Sequence, residues 1–300
     1  MHLLLTNDDG IDADGLRLLT RALGDIHRVT VVAPASERSA SGHSITLTRP
    51  LFAEPHPVPG AGSAWSVDGT PADCVKLALD VLLADKPDLV ISGINHGSNL
   101  GRDVFYSGTV SAAIEASFLG HAAVAVSQGR PSRAGLQWGA RFIAWWIAHD
   151  FVPPPPGVVY NVNLPPYRGR APARVVPAPL GRRIYRNEFQ SEEGPDGRVL
   201  WWLGGQPMDH GETPDSDVAV VSAGHVALTP LRFEVTAFDQ LTHLRELDLV
   251  GMVPPPSDTL ADKGGDSDHG PRSRGFPGRR AGASRIEGVE GGGDGGPRPR

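Results

Sequence analysis

The sequence predicts an α/β fold, a mostly parallel sheet with helices on both faces, and three observations carry that expectation. The apolar run Leu3-Leu4-Leu5 is short and unbroken, as in a strand buried on both faces, and it stops at the turn residues Asn7-Asp8-Asp9-Gly10. Strand-like and helix-like patterns then alternate as far as Leu164, as expected of a parallel sheet wound by crossover helices. Polar, glycine-bearing stretches recur where strands end, at residues 7–10, 36–44 and 93–101. In open α/β sheets that edge is where ligands bind.

In chain order, residues 14–23 place Leu16, Leu19 and Leu23 on one helical face, with Gly24 as terminator. Residues 28–33 (RVTVVA) are a second strand ending at Pro34. Residues 45–48 and 51–53 read as a short β excursion around Arg49-Pro50, and 65–67 as another short strand. A helix follows with Thr70 as N-cap, Pro71 at its first position, and Val75, Leu79, Leu82 and Leu83 on its apolar face. Cys74, in its first turn, reads as a buried small hydrophobe because no local signature supplies a base to activate it. Residues 89–92 (LVIS) form a buried strand running into the third polar loop, and Ser107-Gly108-Thr109 opens a helix that runs to Phe118. A strand at 121–127, a helix at 135–149 carrying Trp145-Trp146 for packing or an interface, and a strand at 158–164 complete the alternating part.

From Pro165 the character changes. Residues 174–177, 182–189, 199–203 and 226–230 read as β segments, with Gly194-Pro195-Asp196-Gly197 as a hairpin turn, a helical turn at 215–223 and a last helix at 239–249. Trp201 and Trp202 must point to opposite faces of their strand, which leaves one for a partner subunit. Beyond about residue 253 the chain holds almost only Gly, Pro, Ser and charge, a composition that cannot bury enough surface to fold. The expected organisation is a catalytic α/β core at 1–164, a β-rich extension with a C-terminal helix at 165–252, and a disordered tail at 253–300.

At 300 residues with 40% hydrophobic content the chain can build a substantial core. A formal net charge of -6 offers no basic field for nucleic-acid polymers, although local groups and a metal could still hold a small anion. A single cysteine excludes an internal disulfide framework and a cysteine-rich zinc site. With no secretory leader pattern and no apolar stretch near the ~18 residues of a membrane span, a cytoplasmic protein without membrane contact is expected.

Three loops of one sheet edge thus supply Asp8 and Asp9, Ser39 with His43, and Asn95 with His96. Adjacent carboxylates repel unless something positive holds them, and a hard cation with oxygen ligands is the usual answer; a solvated turn is the bland alternative. Free N–H groups at the Ser107-Gly108-Thr109 helix start would hold an anion, though capping alone accounts for that motif equally well. His43 and His96 are candidates for proton transfer to a leaving oxygen, or simply hold their loops by hydrogen bonds.

The segments TNDDG (6–10), APASERSASGHSITLTRP (33–50), DGTPADCVKLAL (68–79), SGINHGSNLGRDVFYSGTVSAAIEA (92–116) and HVALTPL (225–231) together resemble the SurE family of survival-protein nucleotidases. The resemblance implies a Rossmann-like three-layer α/β/α core and homodimers or homotetramers held by an extended C-terminal β region. It also implies hydrolysis of nucleoside 5′- and 3′-monophosphates and, in some members, of short polyphosphate; with Asp8 and Asp9 both committed to a cation, a metal-bound water is left as the nucleophile. By motif, Asp8, Asp9, Ser39 and Asn95 fall on the family's ligands for one divalent cation per subunit, Mg²⁺ or Mn²⁺. Ser107, Gly108 and Thr109 fall on its phosphate-binding helix start. The competing readings are a broader phosphatase or exopolyphosphatase, a haloacid-dehalogenase-type phosphatase with an aspartyl-phosphate, and a non-catalytic nucleotide sensor. The second wants its two aspartates two residues apart, whereas Asp8 and Asp9 are adjacent. The third is unsupported by any dinucleotide fingerprint after the first strand.

Overall fold

Among the described residues, all nine strands of the main sheet overlap segments that the sequence pattern marks as strand. A computed structural model of the chain describes residues 1–39, 41–149, 151–170, 172, 174–208 and 213–247. The expected tail at 253–300 lies outside them. Within Met1–Val235 the elements are β1 (His2–Thr6), α1 (Asp14–Gly24), β2 (Arg28–Pro34), β3 (Ala53–Pro55), β4 (Ser63–Val67), α2 (Pro71–Leu77), β5 (Leu89–His96), α3 (Gly108–Phe118), β6 (Ala123–Gln128), α4 (Arg133–Ala148), β7 (Val158–Leu164), β8 (Val175–Pro177), β9 (Ile184–Glu193), β10 (Val199–Met208), α5 (Asp217–Ser222) and β11 (Val226–Arg232). A last helix, α6 (Phe238–Arg245), belongs to a separate unit that starts at Thr236.

The sheet order is β3-β4-β2-β1-β5-β6-β7-β11-β8. Pairing is parallel from β4 through β7, and β3 and β11 run antiparallel to their neighbours β4 and β7. The strand period of two decides the layers. Leu3 and Leu5 pack with α1 and α4 on one face, while Leu4 packs with α2 and α3 on the other, and all three leucines are fully buried. Each contributes about 1.5–3 kcal/mol of transfer free energy. The result is the expected three-layer α/β/α core. Its eighth and ninth strands, β11 and β8, come from beyond Leu164, so the β-rich extension continues the core sheet on one side and forms a separate two-stranded ribbon of β9 and β10 on the other.

Local differences from the sequence reading have local causes. Residues 45–48 form no strand, because Thr46 turns both its amide and its hydroxyl to Asp73, and only Ala53–Pro55 pairs with β4. The helix that starts at Pro71 changes to a π-helical turn over Ala78–Leu82. Beyond Ser92, β5 keeps going where a loop is expected, but with a register shift against β6 between Ser92 and Asn95. Gly93 makes this possible. It sits at φ +137°, where a Cβ would come 2.2 Å from the Val126 carbonyl oxygen.

Candidate active site

The chain runs outward from β1 in both directions, to β2 and β4 on one side and to β5, β6 and β7 on the other. The crevice above β1 and β5 is therefore the topological switch point, the place where such sheets bind ligands. Asp8 and Asp9 follow β1, and Asn95 and His96 end β5. After β1 the side-chain amide of Asn7 donates to the Gly10 carbonyl at 2.8 Å, closing the turn. Asp8 is buried and is held by the first turn of α3. The Thr109 amide donates to its Oδ2 at 3.1 Å, and the Thr109 hydroxyl donates to its Oδ1. The helix can come so close because position 108 is glycine, where a Cβ would stand 2.8 Å from the Asp8 Cβ. Asp9 accepts the His96 amide at 3.1 Å, which ties the β1 and β5 loops together.

Burial pushes the Asp8 carboxyl above its ordinary range even though both Thr109 donors favour its charged form. Burial and the neighbouring Asp8 push Asp9 up to about 6. Among the described residues neither carboxylate is paired with a lysine or arginine. Glu37 adds to the negative field on both. Sequence pattern alone does not single out Glu37; the signal that finds it is its place two residues before Ser39 in the same polar loop.

The other site residues are placed as follows. Asn95 donates its amide to the Gly97 carbonyl at 3.0 Å, which leaves Oδ1 as the atom able to ligate. Ser39 is exposed and its hydroxyl donates to Glu37. His96 meets the site through its backbone. His43 bonds Glu115 Oε2 at 2.7 Å and stacks on Phe118, with Lys76 on the other Glu115 oxygen at 2.9 Å. Glu115 lies seven residues along α3 from Gly108, about 10 Å at the helical rise, so His43 is held away from the helix start. Ser107 caps α3 by accepting the Val110 amide at 3.0 Å. With the Thr109 amide on Asp8, Gly108 keeps the N–H of that turn still open to a ligand among the described residues.

Buried asparagines, unremarked in the sequence reading, fix the loop that carries Asn95. Asn99 donates its amide N–H to Asn163 Oδ1 at 2.9 Å and its side chain to Ser127 Oγ at 2.7 Å. In return Asn161 and Asn163 donate to the Asn99 carbonyl at 2.9 and 3.0 Å. Nothing in the sequence alone brings these strands together, so the network is legible only once β6 and β7 are neighbours.

Residues 3–187 match the family model described as "Survival protein SurE". The chain belongs to the SurE family. It is 43% identical over 249 residues to the 5′-nucleotidase SurE of Pelotomaculum thermopropionicum, covering 82% of this chain and 95% of that protein. To the 5′-nucleotidase SurE of Gloeobacter violaceus it is 45% identical over 243 residues, covering 79% and 91%. The crystal structure of the SurE protein from Aquifex aeolicus superimposes with a TM-score of 0.69 at 33% identity, over 82% of this chain and 98% of that one.

Against that SurE background the donor set can be judged on its own chemistry. Among the described residues no three His, Cys, Asp or Glu side chains gather as a ready-made metal cluster. What the edge offers is two carboxylates plus the neutral oxygens of Asn95 and Ser39. Buried polar atoms without a partner also lie here, Asn7 Oδ1 and Ser41 Oγ, the latter 3.0 Å from where a Gly108 Cβ would sit. Hard oxygen donors carrying unbalanced negative charge fit Mg²⁺ or Mn²⁺ and fit no soft metal.

Proposed function

We propose that this SurE-family protein is a metal-dependent 5′-nucleotidase, a phosphoric monoester hydrolase acting on nucleoside 5′- and 3′-monophosphates. The observation that carries the reading is the adjacent Asp8–Asp9 pair at the start of α3, Asp8 buried and Asp9 partly so, with no lysine or arginine on either carboxylate among the described residues. Asp8, Asp9, Asn95 and Ser39 would hold one divalent cation. When bound, such an ion neutralises phosphate oxygens and makes water a better nucleophile.

The chain's own residues do the rest. Thr109 orients Asp8 through both of its oxygens, which favours a ligand role for Asp8 over an aspartyl-phosphate. The His96 amide fixes Asp9. The Gly108 N–H and the positive end of α3 face an anion arriving at the edge, so the phosphate is held without a basic side chain. Hydrolysis is then one displacement by water with inversion at phosphorus. His96, exposed beside Asp9, is better placed than His43 to give a proton to the leaving oxygen.

A homodimer or homotetramer is supported by the β9–β10 ribbon. Ten pairs join its strands, and Phe189, Trp201, Trp202 and Leu203 are all more than 60% exposed on it. A free two-stranded ribbon of that kind is marginal in water. Residues 1–164 carry every proposed site residue, and the β9–β10 ribbon carries assembly. No helix among the described residues is long and apolar enough to cross a membrane, and the one cysteine is buried and unpaired, which favours a cytoplasmic setting.

The test is phosphate release from nucleoside monophosphates by the full chain. Chelation should abolish it and Mn²⁺ or Mg²⁺ should restore it; full activity of the stripped protein would overturn the proposal. Sedimentation of a Trp201→Ser, Trp202→Ser variant should give a smaller particle than the parent, and an unchanged mass would remove the ribbon from the assembly.

A further inference from the structure

Next to the metal edge lies a cavity of about 720 Å³ that the reading above leaves unused. Its wall begins with Gly97 and Ser98, which directly follow His96, whose amide is 3.1 Å from Asp9. Two residues reach at most about 7 Å, so this part of the cavity wall stands within about 10 Å of Asp9. Among the described residues Arg130, Arg168, Arg170 and Arg183 line it, and no aspartate or glutamate does. That is a concentrated positive field in a chain whose net charge is -6. Arg183 pairs with Asp103 at 3.1 Å, but Arg130, Arg168 and Arg170 have no ion-pair partner among the described residues. Trp138 and Tyr167 supply an aromatic wall, stacked on each other at 6.2 Å between centroids. The volume lies within the range of sites for nucleotide-sized ligands.

The scissile phosphate of a monophosphate already has the helix start and the cation, and it leaves three unpaired guanidiniums idle. Guanidinium forks recognise phosphate oxygens and aromatic walls recognise planar bases. We propose that this cavity receives a second, non-reacting phosphate, making nucleoside 3′,5′-bisphosphates the preferred substrates of the site. The inference rests on the nucleotidase reading. Water attacks the phosphorus at the metal edge, the bond from phosphorus to the ester oxygen breaks, and that oxygen takes a proton. Orthophosphate and a nucleoside monophosphate leave, with the second phosphate untouched and no oxidant or reductant involved.

The experiment compares adenosine 3′,5′-bisphosphate with adenosine 5′-monophosphate on the full chain, in the parent, an Arg168→Gln, Arg170→Gln variant and an Arg168→Lys, Arg170→Lys variant. Both arginines are exposed, so the changes do not disturb the core. The parent should favour the bisphosphate in kcat/KM by about tenfold or more, the scale of one charge-assisted contact. The glutamine variant should bring that ratio near one, chiefly through KM, and the lysine variant should keep part of it. Calorimetric binding of the bisphosphate in excess chelator, where nothing turns over, should weaken in the same order. Equal treatment of the two nucleotides by the parent, or a ratio indifferent to the glutamine changes, overturns the inference even if monophosphates are hydrolysed. If no nucleoside phosphate is hydrolysed with any metal, the nucleotidase reading fails instead. In that case arginine-dependent binding in chelator still supports the cavity, and its absence overturns it.

Discussion

Helices α2 and α3 lie side by side on one face of the sheet, and each receives a buried carboxylate at its first turn, yet the two starts treat that charge in opposite ways. At α2 the carboxylate is Asp73, the third residue of a capping box with Thr70. Burial pushes Asp73 up, but donors from the Thr46 hydroxyl, the Thr46 amide and the Thr70 amide more than offset it, and the carboxyl stays below its ordinary range. At α3 the carboxylate is Asp8, which has two donors, a carboxylate next door and Glu37 nearby, and its pKa is raised. A helix start and a few hydrogen bonds are enough for one buried charge. They are not enough for two or three, and the α3 edge is where the fold leaves a negative charge for something else to balance.

Breaking the α3 side should have the largest effect. Asp8→Asn or Asp9→Asn should lower turnover by more than the ~10–100-fold typical of residues that merely orient a metal's ligands. The fold should survive both changes. For Asp9 the sign can be worked out: its carboxyl titrates near 6 in the folded chain against about 3.9 unfolded, so the folded state holds the proton more tightly. Stability is gained below the unfolded value and lost as pH rises through about 6. At neutral pH in chelator the ionised Asp9 is therefore a net cost, and by calorimetry Asp9→Asn should melt no lower than the parent. A lower melting temperature would mean that the pair is structural rather than functional.

The contrast also explains what the sequence could reveal. The carboxyl edge is legible because a buried run of leucines has to stop somewhere, and two adjacent aspartates at that stop read either as a solvated turn or as oxygen ligands for a hard cation. A mostly parallel sheet with helices on both faces followed from period and alternation, whereas the order of strands and the layer each helix joins did not. What could not be read were relations across the sheet: that Thr109 serves Asp8, that Thr46 serves Asp73 rather than joining a strand, and that Asn99, Asn161 and Asn163 meet. Each joins segments far apart in the chain through polar atoms, and polar spacing carries no period. His43 illustrates the limit best, since its loop reaches the site's neighbourhood while its ring is engaged by Glu115.

A milder change sharpens the comparison from within α3. Thr109→Val keeps the amide donor to Asp8 and removes the hydroxyl donor, leaving one buried oxygen without its partner at a cost of about 1–3 kcal/mol. Turnover should fall by roughly 10–100-fold, with the metal requirement shifted to higher concentration, because Asp8 is no longer fixed. Thr109→Ser should restore most of both. If valine is harmless, Asp8 is positioned by something other than the helix start.

The smallest effect is expected at α2, where the protein balances its own charge. Thr46→Val removes one of three donors to Asp73 and should cost about 1 kcal/mol at neutral pH. Because the folded pKa of Asp73 is depressed, the stability it contributes is present above the unfolded value of about 3.9 and is lost as pH falls through the folded value. The difference between variant and parent, read from urea unfolding, should therefore be full at pH 7 and shrink below about pH 4 as Asp73 takes up its proton. No metal should alter it, since the balance at α2 is struck by hydrogen bonds alone. A difference that responds to Mn²⁺ at pH 7, or that persists undiminished in acid, would mean that the two helix starts are not independent and that the 41–53 loop answers to the charge at α3 as well.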